Sequence, residues 1–261
     1  GVNKATRLLS YIVGTTKTYQ TTIRLGSSTI TDDAEGEVTA VTSTAAVEEA
    51  AIHAGITPLR GSISQVPSSV SAIKVNGERA YARVRSGEDV KLAARPVTIH
   101  AFDVHEIRRG TYAEGENQGL EFIDVDATIV CSSGTYIRAL ARDLGDSLNV
   151  GGHLTALRRS SVGPYSLQEA HTLEELAENF QMLDIADAAR ALMPVRELTD
   201  EEAFELSFGR RIGASPEGIY TAEAPVAAFK PDGTLLALLA DVGKQAKPVL
   251  VFPPDAPEAA K

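Results

Sequence analysis

The chain holds 261 residues, enough for one large domain or two. Its apolar and charged fractions, 43% and 23%, are those of a globular protein and exclude a disordered or fibrous one. A net charge of −10 is awkward for gripping a polyanion, but it is regional: seven bases meet three acids between Ile56 and His100, and two bases meet eleven acids between Ser166 and Ser207.

No apolar run nears the length of a membrane-spanning helix, and no signal-like stretch opens the sequence. Cys131 is the single cysteine, which excludes an internal disulfide and a cysteine-rich zinc site and suits a reducing cytoplasm. The histidines show no metal-ligand spacing, and no phosphate-loop or G-x-S-x-G motif is present. Neither a metal nor a cofactor is expected. The sequence starts Gly1-Val2-Asn3 without a methionine, which reads as a fragment or a processed product.

Asn3 to Val13 reads as a short helix with Ala5, Leu8, Leu9 and Ile12 on one side. Thr18 to Leu25 alternates as a strand, with Tyr19, Thr21, Ile23 and Leu25 on one face. Thr31-Asp32-Asp33-Ala34-Glu35-Gly36 is a turn whose side chains can bond their own backbone. Glu37 to Thr42 is expected to return beside the first strand, and Thr44 to cap a helix through Ala54.

Asn76-Gly77 signals a hairpin, and Arg79 to Ser86 reads as a basic helical turn carrying Tyr81. Arg95 to Arg108 is a further strand, followed by a polar loop from Gly110 to Gly119. Ile123, Val125, Ala127, Ile129 and Cys131 then alternate with Asp124, Asp126 and Thr128. Ser132-Ser133-Gly134-Thr135 breaks that period, and Ile137, Leu140, Ala141 and Leu144 set a helical one. Tyr136 and Arg138 therefore stand where a strand yields to the first turn of a helix.

His171 to Ala191 reads as an acidic helical region with Leu173, Leu176, Ala177, Phe180 and Leu183 on its apolar side. From Leu198 to Phe252 one helix and a small β unit are expected, with Pro231-Asp232-Gly233 as a hairpin. Pro253 to Lys261 is a Pro- and Ala-rich tail expected to be flexible.

The strings K-T-Y-Q-T-T-I-R-L-G, V-P-S-S-V-S-A-I-K and C-S-S-G-T-Y-I-R-A-L-A-R-D-L-G, the last followed by G-G-H-L-T-A-L-R-R, resemble the bacterial tRNA pseudouridine synthase B family. The resemblance implies an α+β fold: a mixed, mainly antiparallel central sheet of the pseudouridine synthase type, a projecting thumb hairpin over about 65–95, and a small β-rich PUA-like domain. The implied division is 1–197 for the catalytic domain, 198–252 for the PUA-like domain and 253–261 for the tail. The implied activity is isomerisation of uridine 55 to pseudouridine in the T-loop of tRNA, by a monomer in the cytoplasm. A non-catalytic RNA-binding protein with the same clasp is the alternative.

Carried over by position, Tyr19 resembles the tyrosine that stacks on the target base, and Tyr136 the one beside it. Arg138 resembles the arginine that pairs with the catalytic aspartate, and Leu157 the apolar residue lining the base pocket. An enzyme acting on a base within a folded loop must take that base out of its stack. Aromatic faces replace the stacking lost, apolar walls exclude water, and a forked guanidinium aims a carboxylate. Lys74, Arg79, Arg83 and Arg95 are candidates for phosphate contacts.

The family nucleophile is an Asp in a G-T-L-D-P-like string, and none of this chain's aspartates lies in one. Two expectations follow. Arg138 should turn to solvent or take a substitute partner, because an unpaired buried cation is costly. The central sheet should also present an exposed apolar edge or face.

Overall fold

The computed structural model describes residues 1–68, 74–75, 78–79 and 92–253, with backbone alone at 74–75 and 78–79. Two compact units form, one from Thr15–Val162 and one from Gly1–Gly14 with the chain from Gly163 onward. The expected division at Glu197 and Leu198 is drawn otherwise by packing. Leu8 and Ala189 share a buried cluster with Ala227, Phe229 and Leu238, so both flanks of the larger unit join the C-terminal strands.

In chain order a 3-10 turn, Asn3–Leu8, runs into α1 (Leu9–Val13). The Thr15–Val162 unit begins with β1 (Lys17–Leu25), β2 (Ser27–Thr29) and β3 (Val38–Val41). Next come α2 (Glu49–Ile56), β4 (Gly61–Gln65), and the two-residue strands β5 (Lys74–Val75) and β6 (Glu78–Arg79). It closes with β7 (Arg95–Thr111), β8 (Glu121–Cys131), α3 (Ile137–Ser147) and β9 (Gly152–Val162).

Within this unit the main strands lie in the order β9-β1-β8-β7-β4, with every neighbouring pair antiparallel. One face of the sheet is covered by α2 and α3. Ile52, Ile56, Leu140 and Leu144 share a core there with Ile23, Ile129 and Leu154, all fully or almost fully buried. The other face is polar, with the ion pairs Arg24–Asp124 and Arg108–Asp126 laid across it. The alternation read along β1 and β8 is this division between faces. The expected exposed apolar edge shrinks to one residue: among the described residues of these five strands, Leu157 is the one exposed large apolar side chain.

Several local readings need correction. β3 pairs with β2, not with β1, because Gly26 (φ 111°) turns the chain off the end of β1. Thr44 is not a helix cap. Its side chain is buried, its N–H donates to Glu121 O, and α2 starts only at Glu49. The β5–β6 hairpin forms, pairing Val75 with Glu78, while the helical turn expected over Arg79–Ser86 falls mainly on residues outside those described, Arg83 among them.

In the other unit, β10 (Tyr165–Ser166) precedes α4 (Leu173–Glu178) and α5 (Ile185–Leu192), two short helices where one acidic region was expected. Leu173 (81% exposed) and Phe180 (67%) face water, so the anticipated apolar side is not a buried face. Each helix is started by its own side-chain cap, from Thr172 and from Asp184. Then follow β11 (Val195–Glu197), α6 (Asp200–Ser207), β12 (Ile212–Gly213), β13 (Val226–Phe229), β14 (Leu235–Val242) and β15 (Gln245–Val251). They make a sheet in the order β11-β13-β14-β15-β12. The hairpin at Pro231-Asp232-Gly233 joins β13 to β14 as expected, and β15 was not anticipated.

The seam between α3 and β9 is the tightest joint near the candidate residues. A Cβ built on Gly145 would stand 2.1 Å from the Gly151 carbonyl carbon and 2.2 Å from Gly152 N, both of them backbone atoms. Gly145→Ala should therefore force α3 off β9 and lower unfolding free energy by about 1–3 kcal/mol, as measured by urea denaturation.

Candidate active site

Tyr136 is the N-cap residue of α3, in extended conformation (φ −105°, ψ 103°), and no side chain caps this helix end. Its place is fixed instead by Gln65, the buried last residue of β4. Tyr136 N–H donates to Gln65 Oε1 at 2.8 Å, and Gln65 Nε2 donates to Tyr136 O at 3.0 Å. A buried amide whose two ends both meet backbone partners has neither its oxygen nor its nitrogen left unsatisfied, and its flip is fixed by them.

Arg138 lies two residues into the helix, and its Nη2 stands 2.5 Å from Asp33 Oδ2. Asp33 is nearly buried (side chain 12% exposed), whereas Arg138 is 37% exposed. The expected substitute partner is thus present, drawn from the acidic turn. That turn is held firmly. Asp32 takes a left-handed φ of 59°, Leu154 N–H donates to Asp32 O at 3.0 Å, and Asp33 bridges Leu154 on β9. Asp33 Oδ1 also accepts from Thr31 Oγ1 and from Glu35 N–H at 3.1 Å. Burial pushes the Asp32 carboxyl above its ordinary value, while the Ser68 hydroxyl and Arg142 pull the other way.

Tyr19 and Leu157 come to the same region through strand register. Tyr19 opposes Arg159 across the β1–β9 ladder, and Thr21 opposes Leu157. Residues directly opposed in an antiparallel pair point to one face, so Tyr19 and Leu157 are diagonal neighbours there. The register shifts between Thr22 and Ile23, leaving Thr155 as an extra residue in β9. That bulge lets Leu154 and Leu157, three apart, both point inward. Leu154 sits under α3 and is 2% exposed, whereas Leu157 is 45% exposed. Tyr19 packs against the same core while remaining half-exposed. One sheet face therefore carries all four candidates: Tyr19 and Leu157 where it opens, Arg138 and Tyr136 on the helix that covers the rest.

Positive charge gathers at the open end. Burial, and then the nearby Arg159 cation, push the Lys17 ammonium below its ordinary value. Burial pushes the Cys131 thiol up, which keeps it a thiol rather than a nucleophile at neutral pH. Of the phosphate-contact candidates, Arg95 is exposed at the start of β7 and pairs in register with Gln65. Lys74 and Arg79 oppose each other on β5 and β6; their side chains, like the whole of Arg83, lie outside the described residues.

Four residues were not anticipated: Gln65, Asp33 as the partner of Arg138, and Lys17 and Arg159 at the open end. Asp33 was visible only as part of a turn-forming string. Gln65 abuts the quoted V-P-S-S string, but nothing local links it to Tyr136, 71 residues away.

The sheet expected to be mixed and mainly antiparallel is antiparallel at every pair of its five main strands, and an antiparallel sheet covered by helices, followed by a small β-rich unit, agrees with what known proteins show. Residues 1–137 match the family described as TruB family pseudouridylate synthase (N terminal domain). Residues 138–199 match tRNA pseudouridylate synthase B C-terminal domain, and 193–253 match tRNA Pseudouridine synthase II, C terminal. The chain belongs to the TruB family of pseudouridine synthases, a family of isomerases. Similar relatives include the tRNA pseudouridine synthase B of Arthrobacter sp. (strain FB24), 67% identical over 97% of this chain and 82% of that protein. The protein of the same name from Thermobifida fusca (strain YX) is 52% identical over 97% of this chain and 83% of that one.

Among solved structures, a chain in "Structure of H/ACA RNP bound to a substrate RNA containing 2'-deoxyuridine" superposes with a TM-score of 0.63 at 19% identity, covering 97% of this chain and 71% of that one. One in "Crystal Structure of a Cbf5-Nop10-Gar1 Complex" gives 0.61 at 20%, covering 97% and 70%. At such identities the likeness is one of fold.

Asp33→Ala should lower stability by about 1–3 kcal/mol, because it strands Arg138 and undoes the turn's own hydrogen bonds. Asp33→Asn, which keeps the turn bonds, should cost under about 1 kcal/mol, since the pair is partly screened by water. Denaturant melts of both variants check this order. Lys17 gives a pH test. A cation disfavoured in the fold costs stability below its lowered pKa, and that cost fades as pH rises through it. Arg159→Gln should raise the Lys17 pKa, read from its ¹³Cε shift during titration.

Proposed function

We propose that this chain receives an everted uridine from the T-loop of tRNA and belongs to the machinery that isomerises uridine 55 to pseudouridine. The reading is carried by one observation: Tyr19 and Leu157 stand on the open part of the sheet face whose covered part holds Tyr136 and the Arg138–Asp33 pair. The relatives named tRNA pseudouridine synthase B support tRNA as the substrate.

The division of labour follows from the side chains. Tyr19 and Tyr136 offer aromatic faces to replace the stacking that the base loses on leaving its loop, about 1–3 kcal/mol for each ring. Leu157 narrows water access beside them, which strengthens charge interactions in the slot. Arg138 carries five N–H donors in a rigid fork, so it can hold a reacting carboxylate aimed at the base while Asp33 steadies it from the turn. Lys17, Arg159 and Arg95, with Lys74, Arg79 and Arg83, supply positive charge for the phosphates, positioning the RNA without reading its sequence.

An aspartate nucleophile breaks the N1–C1′ glycosidic bond, the base turns and is joined to C1′ through C5 as the aspartate departs, and the proton lost from C5 is balanced by one taken up at N1. We assign that aspartate to a G-T-L-D-P-like string outside these 261 residues, so the chain by itself binds without turnover. Because its own sequence holds no such string, a purely RNA-binding role is the second reading. It shares every residue above. The setting proposed is cytoplasmic and the unit a monomer acting on the T-arm.

The test uses a T-stem-loop RNA tritiated at C5 of the target uridine. The chain should bind it, with an affinity that falls as salt rises, and release no tritium. Tyr19→Ala should weaken binding about tenfold. Tritium release by this chain alone would overturn the assignment of the nucleophile, and failure to bind the RNA would overturn both readings.

A further inference from the structure

Tyr136 and Arg138 stand at the start of α3, a helix whose N-cap residue makes no side-chain capping bond of its own. What immobilises that residue comes from another strand. Gln65 is 1% exposed, and its amide meets the N–H and the C=O of Tyr136 together, so the peptides on both sides of the Tyr136 Cα are held. If the Tyr136 backbone rotates, the phenol ring moves with it, and so does Arg138 on the first turn.

Two more bonds tie the same short segment to the site. Arg142, one turn beyond Arg138 on α3, donates to Val66 O at 2.8 Å. Buried Ser68 donates to Thr31 O at 3.5 Å, in the turn that carries Asp33. The segment 65–68 thus stands between the helix that bears Tyr136 and Arg138 and the turn that bears Arg138's partner. Across the ladder from Gln65 is exposed Arg95.

We infer that Gln65 is a positioning residue: its side-chain amide sets the Tyr136 ring and the Arg138 guanidinium for the everted base. The inference rests on the function proposed above. It assigns Gln65 no contact with the RNA. An uncapped helix end would otherwise sample several orientations of its first residue, and an aromatic platform is useful only when it is held in one.

The experiment uses a T-stem-loop RNA with 5-fluorouridine at the target position, bound by saturating amounts of the full chain and followed by ¹⁹F NMR. The wild-type chain should move the fluorine resonance to a bound position distinct from that in free RNA. Gln65→Ala should cut the shifted fraction about tenfold, since it leaves two buried backbone groups without partners.

Gln65→Glu keeps an acceptor for the Tyr136 N–H but sets an oxygen against the Tyr136 carbonyl. Its shifted fraction should be low at about pH 8 and recover at about pH 5, where a protonated buried acid can donate to that carbonyl. A role in stability alone would instead move only the urea midpoint of Gln65→Glu with pH and leave its shifted fraction, measured where the variant is fully folded, at the wild-type level. If Gln65→Ala does not fold, the Gln65→Glu pair of measurements decides alone. A shifted fraction at the wild-type level in Gln65→Ala, or a Gln65→Glu deficit equal at both pH values, overturns the inference. A wild-type chain that binds no RNA or shifts no fluorine overturns the function beneath it, and this inference with it.

Discussion

The pair formed by Arg138 and Asp33, with Arg142 and Asp32 beside it, joins the start of a helix to a turn more than a hundred residues earlier in the chain. Arg138 begins the helix that covers the sheet, and Asp33 belongs to a turn bonded near the start of β9. A nearly buried carboxylate is expensive to leave uncompensated, and so is a cation at the rim of a core. Each meets the other's need, and the meeting fixes how α3 lies against β9. The glycines at the far end of the helix set the same relation by contact, since Gly145 lies directly on Gly151 and Gly152. The helix is therefore pinned by charge near its start and by close backbone approach at its end.

That arrangement explains how an acidic protein can offer a site for a polyanion. Part of the acid on the Thr15–Val162 unit is engaged: Asp124 with Arg24, Asp126 with Arg108, Asp32 near Arg142, Asp33 with Arg138. The concentrated acid runs from Ser166 to Ser207, in the other unit, where Thr172, Asp184 and Thr199 start short helices and acidic residues fill their first turns. Net charge alone would have argued against RNA. Its distribution does not.

How much could be read from the sequence depended on the range of the forces involved. β1, β8 and α3 were legible, because the alternation from Tyr19 to Leu25, and the change of period after Cys131, are imposed by a nearby core. The partner of β3 was not legible, since Gly26 diverts the chain and β2 is only three residues long. Thr44 has the chemistry of a cap, but it spends its backbone on Glu121 and its burial on the core. The family strings pointed to Tyr19, Tyr136, Arg138 and Leu157. They could not disclose Gln65 or the role of Asp33, because each acts on a residue that only the folded chain brings near.

The extra residue at Thr155 has a consequence for how this fold can vary. It makes β9 count differently above and below that point, so Leu154 and Leu157 face inward together although an even ladder would set them on opposite sides. Losing or gaining one residue there would leave the strand paired and the core filled, yet turn Leu157 and Arg159 outward. The polar loop between Tyr112 and Leu120 carries no such parity and can lengthen or shorten freely. Descendants of this chain are thus free to drift in length at one end of β8 and barred from a single-residue slip in β9.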